Sequence, residues 1–349
     1  MLLSLQRIFS RAGTWTLLIG LISASAAAQV NPVADHHAHL LSPQGAHLLK
    51  AGGVPEEDSR PASAHELILA LDQAHVQRAA ALSSGYFLGA PSMHVANEAA
   101  EVDRENSWTA AQAALYPHRL FAFCSVNPLK PYASAAIRHC AALGIHGLKL
   151  HLANSRFNFD NPGDIRALAA VFHQANQQHM AILIHLRSGV RWSAQPIGIF
   201  FRQVLPQAPD VTIQIAHLTG WGGYDRSTDA SASAFADLCA TNPAPCRNLY
   251  FDIATVILPP SFLTAAPGSD QRFLADEQRD FPDAPQRLAA NLRRFGLHRI
   301  LFATDWPDAT PDKYRDALRA QLALSPAEIN QIFENAAPYF ALAATRNSQ

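Results

Sequence analysis

The run Asp35-His36-His37-Ala38-His39 ends an apolar stretch near the start of the chain and sets imidazoles two positions apart. In a strand, side chains alternate faces, so Asp35, His37 and His39 share one face and His36 points to the other. Neutral imidazoles aimed at one point form half of a site for a catalytic divalent metal. The same residue types recur at the ends of later apolar runs. Lys149 and His151 close Gly147-Leu148-Lys149-Leu150-His151, His185 follows Ile182-Leu183-Ile184, His217 follows Ile213-Gln214-Ile215-Ala216, and Asp305 follows Ile300-Leu301-Phe302-Ala303-Thr304. A lone strand-end histidine is commonly a packing residue, and a lone aspartate there a helix N-cap. Their repetition points to one shared site, provided the fold gathers the run ends.

The elements that must do this alternate along the chain. Strand-like runs cover residues 33–39, 76–83, 120–126, 145–151, 181–186, 211–217, 249–253 and 299–305. Between and after them lie amphipathic helical stretches over residues 64–73, 93–115, 132–143, 164–178, 230–240, 285–295, 312–322 and 326–343. Strict strand-then-helix alternation implies a parallel sheet, and this many units predict a (β/α)8 (TIM) barrel. Helix-to-strand links are tight, as at Gly144 and Gly296, where a left-handed residue ends the helix. Strand-to-helix links are long over residues 40–63, 218–229 and 254–282. Loops of that length are usually functional, and these leave the C-terminal ends of strands, the face where barrel enzymes build their sites.

With those motifs in that order, the chain resembles the amidohydrolase superfamily of metal-dependent hydrolases, in the branch that includes small-acid decarboxylases and lactone hydrolases. The resemblance rests on Asp35-His36-His37-Ala38-His39, Gly147-Leu148-Lys149-Leu150-His151, Leu183-Ile184-His185, Ile215-Ala216-His217 and Ala303-Thr304-Asp305-Trp306-Pro307, with Asn335-Ala336-Ala337 as a closing helix signature. It implies one divalent ion held by His37, His39, His185 and Asp305, with His217 beside it as acid/base. Three imidazoles and a carboxylate suit zinc, and iron or manganese less specifically. Such an ion makes hydroxide available near neutrality; Asp305 also accepts a proton, and His217 polarises the scissile group or protonates the leaving group. Asp35 is a supporting group for His37, or a strand-start hydrogen bond. Lys149 is carbamylated and bridges a second metal in binuclear members, but the motifs here look like those of the one-metal branch. His151 is a substrate contact or solvated. Arg187 could clamp a carboxylate or be an exposed loop residue. Trp221 and Tyr224 could stack on substrate or pack as a lid.

Residues 1–28 have Arg7 and Arg11 ahead of an apolar core and close on Ala26-Ala27-Ala28, the order of a cleaved signal peptide. That leaves 29–349 as a single domain, expected to be exported to the periplasm or secreted, with no membrane span. The formal charge of -1 and scattered basic residues give no nucleic-acid footprint, so the expected partner is a small molecule. Of the four cysteines, Cys239 and Cys246 flank a turn and can form a local bridge, whereas a Cys124–Cys140 bridge is less expected, since each could be a buried thiol in an apolar element. The reading is an exported hydrolase that cleaves an ester, lactone or amide with metal-activated water. Its rivals are a decarboxylase of the same branch and a catalytically inactive ligand-binding barrel; the latter has no use for His217 and Asp305 as proton carriers.

Overall fold

The structure, a computed structural model, describes residues 30–190, 192–258, 264 and 270–341; the leader expected over residues 1–28 lies outside them. Eight parallel strands follow chain order in one sheet: β1 Ala34–Leu40, β2 Arg78–Ser83, β3 Leu120–Ser125, β4 Gly147–His151, β5 Ala181–His185, β6 Ile213–Ile215, β7 Leu249–Asp252 and β8 Ile300–Leu301. The segment after β8 closes the barrel on β1. His36 N–H donates to Phe302 O at 3.0 Å, Asp305 N–H to His37 O at 2.9 Å and His39 N–H to Trp306 O at 2.7 Å. This is the expected (β/α)8 barrel.

Its interior is filled by alanine, leucine and aromatic side chains, including Ala34, Ala80, Leu82, Phe121, Phe123, Leu183 and Leu301. The C-terminal residues Ala337, Tyr339 and Phe340 pack into the same cluster. Outside the sheet, the crossover helices bury a second shell of Leu, Ile, Val and Phe. Their ends follow local chemistry. Ser63 and Glu66 form a capping box that starts α2 (Ala64–Ala74), counting Pro43–Ala51 as α1, and Ser325 with Glu328 starts the last helix, Pro326–Glu334. That helix stops at Glu334 rather than running on as expected. Asn335 turns extended and donates to Leu297 O and Ile300 O, each at 2.7 Å, and the backbone is helical again only from Tyr339, after Pro338. The long first loop carries α1, with Ser42 as its N-cap; buried Glu105 accepts from both Ser42 N–H and Ser42 Oγ–H. Among the described residues no helix is long and apolar enough to cross a membrane.

Two sequence expectations need correcting. Cys124 and Cys140 are not thiols: they form a disulfide across a Cα separation of 6.2 Å, because the helix Ala133–Ala142 folds back along the outer side of β3 into the same buried cluster. Cys239 pairs with Cys246, as the turn between them allows. On β1 the pairing register shifts between Asp35 and Ala38, a bulge that breaks simple alternation. His36 is therefore not on the outer face. It packs on Tyr339 and Phe340 at the barrel floor, its Nδ1–H donating to Phe302 O at 2.8 Å and its Nε2 accepting from Ala337 N–H at 3.1 Å. Asp35 accepts from His37 N–H at 3.1 Å, as a supporting group, and also from Thr304, taking its N–H at 3.1 Å and its hydroxyl at 2.5 Å.

How fully the interior is packed can be read at Gly147, where a Cβ would fall 2.5 Å from ring carbons of Phe123. Gly147→Ala should therefore cost about 1–3 kcal/mol, through a displaced Phe123 ring. An unchanged urea midpoint would show that the interior has room to spare.

Candidate metal centre

His37 and His39 leave the bulged end of β1, and Asp305 sits directly after the closing segment of β8. Their polar atoms meet: His37 Nε2 and His39 Nε2 are 3.1 Å apart, and Asp305 Oδ1 lies 3.2 Å from each. Asp305 holds a left-handed backbone, φ 61°, uncommon for a residue with a side chain and a recurrent mark of functional sites. Two contacts impose it: Asp305 N–H is tied to His37 O, and the preceding Thr304 is held by Asp35.

His217 follows the short β6 in a second irregular segment. His217, Leu218 and Thr219 all have positive φ, at 51°, 50° and 78°, where each residue costs roughly 1–3 kcal/mol. The carboxylate of Asp252, at the end of β7, offsets that cost by accepting His217 N–H at 2.9 Å. The ring Nδ1 lies 2.9 Å from Ala254 O, an acceptor only, so Nδ1 carries the proton and Nε2 is left with a lone pair. That Nε2 is 3.7 Å from Asp305 Oδ2.

Asp252 also holds His37. Its Oδ2 accepts from His37 Nδ1–H at 3.1 Å and from Gln214 Nε2–H at 2.7 Å. Burial opposes its ionisation, but the hydrogen bonds of His37 and Gln214 outweigh it and hold the carboxyl well below its usual range. Around it the imidazoles are neutral, the form that ligates metal. Burial, helped by the Lys149 ammonium, pushes His37 down to about 3, and burial lowers His39, His151 and His185 as well.

The other expected residues are placed as follows. Lys149 on β4 is buried, pushed down to about 8 by that burial, and donates to His37 Nε2 at 2.9 Å. His151 is half-buried rather than solvated: it lies in a stack of rings between Tyr86, with centroids 5.0 Å apart, and His185, at 3.9 Å. His185 meets His217 edge-on at 5.0 Å, and its buried Nε2 has no hydrogen-bond partner. Arg187 is neither exposed nor free to clamp a substrate carboxylate. It is buried, donates to Asp225 Oδ2 at 2.8 Å, and lies 4.0 Å from the centre of the Trp221 ring. Tyr224 packs rather than reaching for substrate: its hydroxyl donates to Asp229 at 3.0 Å and accepts from Asn291 at 2.8 Å.

Sequence reasoning passed over Asp252, although it ends an apolar strand just as the other site residues do. Tyr86 and Gln214 carried no comparable signal.

This donor set fits a divalent cation. With the His37 proton committed at Nδ1, its Nε2 lone pair faces a second imidazole nitrogen and a carboxylate oxygen, an arrangement that needs positive charge at its centre. Lys149 supplies some of that charge from one side. His37, His217 and Asp305 also bring their ligand atoms within 4.8 Å of one another, and the ring of His185, whose Nε2 is unpartnered, packs against that of His217.

No curated protein matches the sequence. Solved structures are similar to it in fold. A candidate 2-pyrone-4,6-dicarboxylic acid hydrolase from Pseudomonas putida is 17% identical, with 90% of this chain and 98% of that one covered at a TM-score of 0.58. The 2,6-dihydroxybenzoate decarboxylase from Rhizobium is 14% identical, with 92% and 100% covered and a TM-score of 0.58. An amidohydrolase from Burkholderia multivorans with bound zinc is 15% identical, with 90% and 98% covered and a TM-score of 0.53. The model of the Amidohydrolase family matches residues 34–338, nearly the whole of the barrel, and the chain belongs to that family.

Proposed function

We propose that this protein is an exported, metal-dependent hydrolase that opens an ester, lactone or amide bond of a small molecule. The observation that carries the reading is the meeting of His37 Nε2, His39 Nε2 and Asp305 Oδ1 at 3.1–3.2 Å, with His217 on the opposite oxygen of Asp305. His37, His39 and Asp305 would hold the ion, with His185 as the further ligand. Nitrogen and carboxylate donors favour zinc, the metal named with the similar Burkholderia structure. When bound, such an ion supplies Lewis acidity, acidifying water and polarising the scissile carbonyl.

The remaining steps belong to the side chains. Asp305 accepts the proton of the attacking water at Oδ2. That oxygen is 3.7 Å from His217 Nε2, which takes the proton on and delivers it to the departing oxygen or nitrogen. Throughout, the Nδ1–H bond to Ala254 O keeps the His217 ring from turning. Lys149 acts as an unmodified ammonium, which supports one ion per chain rather than two. Export is supported by the leader-like residues 1–28 and by both disulfides.

Decarboxylation is the second reading. It is favoured by Lys149 and a surround of imidazoles, which suit a carboxylated substrate, and by the fold likeness to a decarboxylase. Reaction in 18O-water separates the two. Label in the organic product supports hydrolysis, whereas carbon dioxide release with an unlabelled product overturns it.

Metal analysis of the purified protein should find one ion per chain, unchanged in Lys149→Ala. Two ions falling to one or none in that variant would establish a lysine-bridged pair instead. His37→Ala and Asp305→Asn should lose the ion, and a strong chelator should abolish activity that added zinc restores. His217→Asn is the sharper test of roles: it should keep the ion while losing activity about 10²–10⁴-fold. Loss of the ion in His217→Asn would make His217 a ligand and not the proton carrier.

A further inference from the structure

The geometry points to Asp252 as the positioning residue of the metal centre, with Tyr339 at the barrel floor holding it in place through Gln214. This deepens the reading above and rests on it for the identity of the ion, though not for the positioning itself.

Four N–H donors converge on the Asp252 carboxylate. Oδ2 takes His37 Nδ1–H at 3.1 Å and Gln214 Nε2–H at 2.7 Å, and Oδ1 takes His217 N–H at 2.9 Å and Ala254 N–H at 3.2 Å. Asp252 is fully buried, so no solvent can replace a missing acceptor. Only a carboxylate satisfies this set. An amide of the same shape must turn its NH2 either to His37 and Gln214 or to the two backbone N–H groups, and in both cases donor faces donor. The consequence on the His37 side is a single tautomer whose unprotonated Nε2 faces His39, Asp305 and the Lys149 ammonium. On the other side it is the left-handed backbone that puts the His217 ring within 3.7 Å of Asp305. One group thus sets a metal ligand and the proton carrier together.

The support for that group comes from below. Gln214 Nε2 donates to Asp252 Oδ2 and also to His36 O at 3.0 Å, both pure acceptors, which determines which way the amide faces. Its Oε1 then accepts from the Tyr339 hydroxyl at 2.9 Å. Tyr339 sits in the interior cluster with Phe121, Phe123 and Phe340, so the C-terminal segment is the floor on which the site is aligned. Removing the Tyr339 hydroxyl leaves the buried Gln214 Oε1 without its donor and loosens the link to Asp252.

The test uses the full mature chain, with zinc alone as the probe. Zinc affinity is measured by competition with a chromophoric chelator, and the His37 and His217 tautomers by 15N–1H correlation in metal-free protein. Asp252→Asn should weaken zinc about 10–100-fold and take His37 off its single Nδ1–H tautomer. Tyr339→Phe should shift both readouts in the same direction by a smaller amount. Glu105→Gln, which alters a buried carboxylate at Ser42 outside the site, should lower stability and leave zinc affinity and tautomers unchanged. Wild-type affinity and tautomers in Asp252→Asn would overturn the assignment. If Asp252→Asn does not fold, Tyr339→Phe decides alone, and wild-type values in it overturn the proposal. Should the wild type bind no metal, the functional reading fails, while the tautomer comparison still decides whether Asp252 positions the rings.

Discussion

The closure of the barrel between the end of β8 and β1 is the constraint on which everything else depends. Three backbone hydrogen bonds pair residues 36–39 with residues 302–306, and they join segments that lie at opposite ends of the chain. Without them His37 and His39 would face Asp305 only by chance; with them the three side chains have almost no choice. Asp35 adds a second clasp across the same seam by bonding Thr304. The interior packing of Phe121, Phe123, Leu183 and Tyr339 keeps the seam from shearing.

A closed seam brings ligands together, but burying five imidazoles, a lysine and two carboxylates in one mouth is electrostatically expensive. The structure meets that cost by dividing the groups by charge. Desolvation keeps the His37, His39, His151 and His185 rings neutral, while Asp252 gathers enough N–H donors to remain ionised. Asp305 shares the mouth with them, its Oδ1 lying 3.2 Å from both His37 Nε2 and His39 Nε2. Lys149, with its charge disfavoured by burial, meets the His37 ring at Nε2, on the side away from Asp252. The result is a nest of bare nitrogen lone pairs and carboxylate oxygens, which is what a divalent ion needs.

Much of this was visible along the chain because strand ends are local features. An apolar run that finishes in His185 or His217 announces a buried strand with a polar tip, and alternation with helical stretches announces how the tips are gathered. Asp252 obeyed the same rule and was overlooked only because its run is short. Other features had no local signature. The bulge between Asp35 and Ala38 depends on which partner each residue pairs with, so it inverted the expected places of Asp35 and His36. The Cys124–Cys140 bridge depends on how a helix lies along its own strand. Arg187 looked like a surface loop residue because its counter-ion, Asp225, arrives from a different strand-to-helix loop.

The sequence by itself therefore determined the strand and helix order, the barrel and the chemical types at its mouth, because period, propensity and residue identity are carried by neighbours along the chain. Only the tertiary structure decided which nitrogen of each ring is bare, which carboxylate binds and which positions, and how close His37 comes to Asp305. Those properties are set by hydrogen-bond partners tens to hundreds of residues away and by left-handed backbone held against its own preference, and neither can be read from adjacent residues.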